Sequence, residues 1–248
     1  LREEVSRTRS AGFATQAMSA FFRFPHTPHL AWMGSGIPRD DKVLSAVEAS
    51  ALLAEPVVVE EKLDGANLGF SVSPDGVLRA QNRGHYLDAP HAGQFARLGQ
   101  WLAPREEVLS DALGEHLVAF GEWCAARHSL AYTALPDWWL LFDLYDRRVG
   151  RFWSTERRDQ WAGRLGLITV PALMRGQRSL QELRQLLINR RSAFRDGPLE
   201  GMIIRREDDA WLQSRAKLVR ADFTQQIAGH WRHRSLEWNR LDDVATHG

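Results

Sequence analysis

The stretch from Val57 to Asn67, which reads VVVEEKLDGAN, decides how the chain folds. Its β-branched beginning predicts a buried strand over 57–61. Lys62 follows that strand directly, and Asp64 and Gly65 are residue types that favour a tight turn. A lysine at the end of a buried strand can act as a nucleophile if its amine is neutral. The alternative is a lysine in a salt bridge beside an ordinary turn.

Strands and helices alternate irregularly on both sides of this stretch, without the regular repeat of a parallel sheet. Ser73-Pro74-Asp75-Gly76 is a strong turn signal, and Ser179 with Glu182 forms a capping-box pattern. Strands are predicted over 67–72, 77–81, 117–122, 138–145, 201–205 and 211–219, and helices over 94–113 with a break at Pro104, after Ser154, after Ser179 and after Asp222. The pattern predicts an α+β fold with largely antiparallel sheets and flanking helices.

Composition excludes several classes of protein. The chain has 248 residues and one cysteine, Cys124, so an internal disulfide framework and a cysteine-based zinc site are excluded. No apolar run approaches the roughly 18–20 residues of a membrane span, so we expect no membrane partner. A single cysteine favours a reducing compartment, and we expect a cytoplasmic protein. Residues 1–17 are expected to be an upstream extension or a segment added for expression, and residues 18–248 to be one domain with no separate C-terminal OB domain.

Lysine is scarce in this chain, so each lysine is a candidate for a specific role. The chain has 32 basic residues, of which only Lys42, Lys62 and Lys217 are lysines. Lysine can lose its proton when its pKa is lowered, whereas arginine in practice cannot. For an amine to be largely neutral at pH 7, the pKa must fall by about 3 from its reference value. Burial and nearby cations can produce that change, so we expect the amine of Lys62 to be held uncharged.

Further short motifs follow EKLDG in a fixed order. They are QNRG at 81–84, FGEW at 120–123, LFDLYD at 141–146, EGMIIR at 200–205 and SRAKLV at 214–219. In this order, and covering about 60–217, they resemble the covalent nucleotidyltransferase superfamily of ATP-dependent DNA ligases, RNA ligases and mRNA capping enzymes. The likeness is greatest to the RNA ligase 2-like branch. It implies the nucleotidyltransferase fold of that superfamily.

The resemblance implies a role for each motif residue. Lys62 attacks the α-phosphate of ATP and carries AMP as a phosphoramidate, while Lys217 and Arg215 act at the phosphate. A lysine is usual at the position of Arg215, so the charge is kept but the compact ammonium is not. The implied nucleotide contacts are Glu61 at the adenine, Asn67 after the lysine motif, Arg83 near the phosphate and ribose, Glu122 at the ribose hydroxyls, Phe142 stacked on the base, and Glu200 near the metal.

The implied activity is ATP-dependent RNA ligation with Mg²⁺ or Mn²⁺. AMP passes from Lys62 to a 5′-phosphate end, and a 3′-hydroxyl then displaces it. RNA, possibly a nicked duplex, is the expected partner, and a partner protein could supply additional grip on the strands. The open alternatives are a ligase of DNA or RNA/DNA hybrid nicks, a capping-type guanylyltransferase, and a non-catalytic nucleotide- or RNA-binding module.

Charge is unevenly distributed, which bears on RNA binding. Residues 1–124 carry a net charge of −5 and residues 125–248 a net charge of +6. A basic half can attract a polyanion, although it can also be a solvated surface. We expect Arg127, Arg205 and Arg220 to bind nucleic acid. The segment RHRSLEWNR at 232–240 is either a basic amphipathic helix or a surface where Trp231 and Trp238 stack on bases, and the roles of His26 and His29 stay open.

Overall fold

Two antiparallel sheets carry the fold in the computed structural model, which describes residues 21–34, 42–226 and 236–242. The expected extension over 1–17 lies outside these residues. The strands are β1 Val57–Lys62, β2 Ala66–Val72, β3 Leu78–Gln81, β4 Leu117–Trp123, β5 Trp139–Asp146, β6 Arg151–Phe152, β7 Ala172–Gly176, β8 Gly201–Glu207 and β9 Leu212–Val219. The helices are α1 Ala46–Leu53, α2 Leu98–Leu102, α3 Glu106–Leu113, α4 Thr155–Arg164, α5 Leu180–Asn189 and α6 Ala221–Gln226, with a 3₁₀ turn at Gly93–Phe95.

The first sheet has four strands in the order β7-β1-β8-β9. Lys62 pairs with Gly201 on β8, and Ile203 of β8 pairs with Lys217 on β9. One face of this sheet packs against α1 and α5 through an aliphatic core that includes Leu52, Leu183, Leu187, Val59 and Ile204. This register therefore places residues of the EKLDG, EGMIIR and SRAKLV motifs on neighbouring strands of one sheet.

The second sheet has five strands in the order β3-β2-β4-β5-β6. Asn67 of β2 lies directly opposite Glu122 of β4. A core rich in tryptophan joins this sheet to α2, α3 and α4, and it includes Trp101, Trp123 and Trp139. All pairings between named strands in both sheets are antiparallel, so the predicted α+β architecture is confirmed.

A buried ionic network joins the two sheets. Arg205 on β8 bonds to Asp143 on β5 at 2.9 Å, and Asp143 also pairs with Arg215 on β9. Arg158 on α4 lies 2.6 Å from Glu60 on β1. Arg158, Arg205 and Glu60 are each only 1% exposed. Charges buried this deeply require partners, and here each one has at least one.

The residues before Val57 also belong to the sheet structure. Lys217 N donates to Pro28 O and Leu30 N donates to Lys217 O, so this segment runs along the outer edge of β9. Helix α1 was not predicted, although Ser45 and Glu48 form a capping box at its start, and the short strands β6 and β7 were not predicted either. None of the described helices is long and apolar enough to cross a bilayer.

Residues 236–242, near the C-terminus, are extended rather than helical. Ala126 pairs with Trp238, and Leu135 pairs with Leu241. Of the two interpretations of 232–240, the amphipathic helix is therefore wrong for residues 236–240, because these residues bond to a neighbouring loop. Asp222 lies inside α6 rather than at its cap. Trp231 and the basic residues 232–234 lie outside the described residues.

Candidate active site at the end of strand β1

Lys62 is the last residue of β1. Its Nζ lies 2.6 Å from Oε1 of Glu200, the residue immediately before β8. The side chain of Lys62 is 27% exposed and that of Glu200 is 9% exposed. The lysine that the sequence singled out is therefore accessible from outside, and its ammonium is held by a buried carboxylate.

Glu122 holds the turn that follows Lys62. Its Oε1 accepts a hydrogen bond of 2.9 Å from the backbone N–H of Gly65. A Cβ at position 65 would lie 2.5 Å from the carbonyl oxygen of Trp123, so only glycine fits there. The turn and β4 consequently pack without an intervening side chain.

The charge state of Lys62 differs from the expectation. Burial alone would lower the pKa of its amine, but the negative charges of Glu200, Glu122 and Asp64 outweigh burial and raise the pKa of Lys62 above its ordinary value. The cations expected beside the amine are not its nearest neighbours. The expectation of an uncharged amine is wrong for the nucleotide-free chain.

The carboxyls around Lys62 are themselves perturbed. Burial raises the pKa of Glu122 to about 7, with Lys62 opposing that rise and Glu200 adding to it. Burial likewise raises the pKa of Glu200, against the opposing charge of Lys62. Two carboxyls with raised pKa values beside one lysine are typical of functional sites.

Two buried oxygen atoms at this site have no hydrogen-bond partner among the described residues. They are Oε2 of Glu200 and Oδ1 of Asn67. An acceptor buried without a partner is costly, and it fits a site that gains its partner from a ligand. Glu200 Oε2 is a suitable oxygen for a divalent cation that otherwise takes phosphate and water ligands. No group of three metal-binding side chains occurs within the described residues.

Lys217 and Arg215 lie on β9 but differ in surroundings. The positive charge of Lys217 lowers the pKa of Glu200, which places Lys217 within electrostatic reach of Lys62's partner. Arg215 pairs with Asp143, and its guanidinium lies 4.4 Å from the ring centre of Phe24 and 4.5 Å from that of Phe152. Arg215 is thus a packed member of the ionic network.

Comparisons with known proteins agree with this geometry. Residues 55–219 match the family model described as RNA ligase. The chain belongs to the RNA ligase family. The predicted resemblance is therefore confirmed at the level of the family, and the match spans all of the motifs from EKLDG to SRAKLV. A search among curated protein sequences found no match.

Solved structures share the fold of this RNA ligase family member. A Naegleria gruberi RNA ligase variant with ATP and Mn is 16% identical, with a TM-score of 0.52, over 83% of this chain and 63% of its own. An archaeal ATP-dependent RNA ligase is 18% identical, with a TM-score of 0.54, over 82% of this chain and 49% of its own. A putative ATP-dependent DNA ligase from Aquifex aeolicus is 19% identical, with a TM-score of 0.54, over 81% and 50%. The chain therefore spans about half to just under two thirds of the length of these ligases, and the predicted nucleotidyltransferase fold is confirmed.

The other predicted nucleotide contacts, Phe142, Arg83 and Glu61, differ in their surroundings. Phe142 is partly buried against Phe24, with ring centres 5.2 Å apart. Arg83 is exposed, and its guanidinium lies 3.5 Å from Nδ1 of His26. Glu61 points to the opposite face of β1 from Lys62, where its carboxylate accepts hydrogen bonds from Ser192 and from the N–H of Ala193. Its side chain is not brought to the cluster.

One predicted RNA contact is wrong in this RNA ligase family member. Arg205 is 1% exposed and is enclosed by Asp143, Glu60 and Glu207, so it cannot bind nucleic acid. Arg127 and Arg220 are partly exposed and pair with Glu237 and Asp222, so their predicted role stays a prediction. Tyr132, whose hydroxyl accepts a hydrogen bond of 2.8 Å from the backbone N–H of Asp64, was not predicted, because it lies far from Lys62 in the chain and no motif marks it.

Proposed function

We propose that this chain is an ATP-dependent RNA ligase that acts in RNA repair through a lysyl-AMP intermediate on Lys62. One observation carries the proposal. In a chain of the RNA ligase family, Lys62 Nζ lies 2.6 Å from Glu200, beside Glu122 and an oxygen of Asn67 that has no hydrogen-bond partner within the described part of the chain. This constellation provides a nucleophile and polar groups of the kind that a nucleotide requires.

In the first step, Lys62 forms a P–N bond with the α-phosphate of ATP and pyrophosphate leaves. Lys62 begins as an ammonium paired with Glu200, so it must lose a proton before it attacks. In this proposal Lys217 neutralises phosphate charge, Glu122 and Asn67 accept hydrogen bonds from the ribose, and Phe142 stacks on the base. Bound Mg²⁺ or Mn²⁺ at Glu200 would supply further charge neutralisation at the phosphates.

The second and third steps require RNA. AMP moves to a 5′-phosphate, and a 3′-hydroxyl then attacks that phosphorus and releases AMP. Arg127 and Arg220 are the partly exposed cations that we assign to the RNA backbone. Other strand contacts would come from a partner protein or from parts of the protein beyond the described residues. The single cysteine supports a cytoplasmic setting.

Transfer of label from ATP to the protein tests the first step. The protein is incubated with ATP labelled at the α-phosphate and Mg²⁺ or Mn²⁺, and it is then denatured and separated from free nucleotide. Wild type is expected to retain the label and Lys62→Ala to lose it. Lys42→Ala is the matched control, because Lys42 pairs with Glu48 at the surface with its side chain 67% exposed. Absence of label on wild-type protein with either metal would overturn the proposal.

A panel of substrates separates the alternatives. The rate of sealing is measured in parallel for nicked RNA, DNA and hybrid duplexes, and we expect RNA-containing nicks to be joined fastest. Preference for an all-DNA nick would favour a DNA ligase, and labelling by GTP instead of ATP would favour a capping-type enzyme. RNA binding without any labelling of Lys62 would favour a non-catalytic module.

A further inference from the structure

We propose that residues 236–242, hereafter the C-terminal strap, position Lys62 for lysyl-AMP formation. The strap acts from Asn239 through Tyr132 to Asp64. It lies beyond residues 55–219, the range that matches the RNA ligase family, so the family model does not account for it. This inference rests on the proposed function, because it concerns the first step of that reaction.

The strap is bound to the loop that follows β4. Arg127 N donates to Glu237 O, Asn239 N to Ala125 O, and Asp242 N to Leu135 O. Two further backbone hydrogen bonds join the strap to the loop: Leu135 N donates to Arg240 O, and Arg240 N donates to Tyr132 O. The strap thus bonds to this loop as a neighbouring strand would. The loop begins directly after Glu122 and Trp123.

Asn239 is the buried centre of the strap. It is 4% exposed, and its side-chain amide both accepts and donates hydrogen bonds. Oδ1 accepts from Tyr132 N at 2.9 Å, while Nδ2 donates to Cys124 O at 2.8 Å and more weakly to Ala126 O at 3.3 Å. One side chain therefore fixes both ends of the loop 124–132.

The loop in turn fixes the turn after Lys62. The backbone N–H of Asp64 donates to the Tyr132 hydroxyl at 2.8 Å. The carboxylate of Asp64 accepts from the backbone N–H groups of Ser129 and Leu130, each at 2.7 Å. Asp64 is consequently held from both its backbone and its side chain by the loop that Asn239 organises.

Asp64 is two residues from the nucleophile, and the next residue, Gly65, is bound to Glu122. A displacement of this turn moves Lys62 relative to Glu122 and Glu200. In-line attack at phosphorus depends on the position of the nucleophile to a fraction of an ångström, and a 1 Å error can cost about 100-fold in rate. The strap therefore contributes to the rate without touching the nucleotide.

Two variants and one control test this relay. Tyr132→Phe removes only the hydroxyl that accepts from Asp64, and Asn239→Ala removes the three bonds of the amide. Each is expected to lower the rate of lysyl-AMP formation at saturating ATP by about 10-fold or more, with a smaller change in the KM for ATP. Leu236→Ala lies in the same strap, but its side chain is 48% exposed, and it is expected to react at the wild-type rate.

Amide hydrogen exchange provides a readout that does not depend on activity. Both variants are expected to speed exchange at Ser129 and Leu130, whose N–H groups are held by Asp64. The proposal is overturned if exchange rises but the rate does not fall, or if the rate falls with exchange unchanged. Should Asn239→Ala fail to fold, Tyr132→Phe alone decides. If wild type forms no lysyl-AMP, the proposed function fails and so does the catalytic role of the strap, whereas normal labelling with unaffected variants rejects the strap alone.

Discussion

At the residue scale, Lys62 shows what can and cannot be inferred from a sequence. The scarcity of lysine and the place of Lys62 before a glycine turn single it out as the candidate nucleophile, and the structure places it beside Glu200 and Glu122. Its charge state was predicted wrongly, because two of the three carboxylates that raise its pKa, Glu122 and Glu200, lie 60 or more residues away in the chain. A pKa depends on such spatial neighbours, which a local motif does not contain.

Glu122 provides a prediction for stability as a function of pH. Its pKa of about 7 exceeds that of an unfolded glutamate, so between about pH 4.5 and pH 7 the folded chain keeps a proton that the unfolded chain has lost. The contribution of Glu122 to stability therefore falls as pH rises through this window. Lys62, Glu200 and Asp64 face Glu122, and Glu200 adds to the same slope. In Glu122→Gln, the melting temperature of the nucleotide-free protein is expected to fall less steeply between pH 5 and pH 8.

The control for this prediction is Glu107→Gln on α3, whose side chain is exposed. Its melting temperature is expected to follow the wild-type curve across the same pH range. Parallel curves for Glu122→Gln and wild type would contradict the assignment of the raised pKa to Glu122.

At the scale of elements, the sequence was informative wherever local chemistry determines the structure. The strand β1, the turn at Ser73–Gly76 and the capping box of Ser179 with Glu182 follow from residue types a few positions apart, and all are present. The strap could not be predicted in the same way. It overlaps the basic segment 232–240, for which a helix is one of the two interpretations, but Asn239 is buried against a loop more than 100 residues earlier in the chain.

A prediction at the scale of elements concerns Gly65, in the turn between β1 and β2. A Cβ on Gly65 would lie 2.5 Å from the Trp123 carbonyl oxygen and 3.1 Å from Cγ of Glu122. Gly65→Ala must therefore push the turn away from β4, and it is expected to lower both the melting temperature and the yield of lysyl-AMP. Gly99→Ala in α2 is the matched control, since a Cβ there would meet no atom within 4 Å beyond its own helical turn, and alanine favours a helix. Equal behaviour of the two variants in labelling and melting would show that the close approach at Gly65 is unimportant.

At the scale of the whole molecule, the relation between the two sheets was the least predictable feature. The residues that join them, including Glu60, Asp143 and Arg205, lie in separate motifs and look like surface charges or RNA contacts when considered one at a time. The fold class follows from the order of the elements, whereas the packing of one sheet on the other depends on which side chains meet. Burial alone would lower the pKa of Arg205, but Asp143, Glu60 and Glu207 raise it above its ordinary value.

This network makes Arg205 important for stability and not for RNA binding. Arg205→Met is expected to lower the free energy of unfolding by about 3 kcal/mol, because it leaves three buried carboxylates with one fewer cation. Arg205→Lys keeps the charge but lacks the planar fork that reaches several carboxylates at once, so it should fall between Arg205→Met and wild type. Urea unfolding measures the three proteins, with the exposed Arg175→Met on β7 as a control expected to match wild type within about 0.5 kcal/mol. If Arg205→Met unfolded at the wild-type urea concentration, Arg205 would have no net stabilising role in this network.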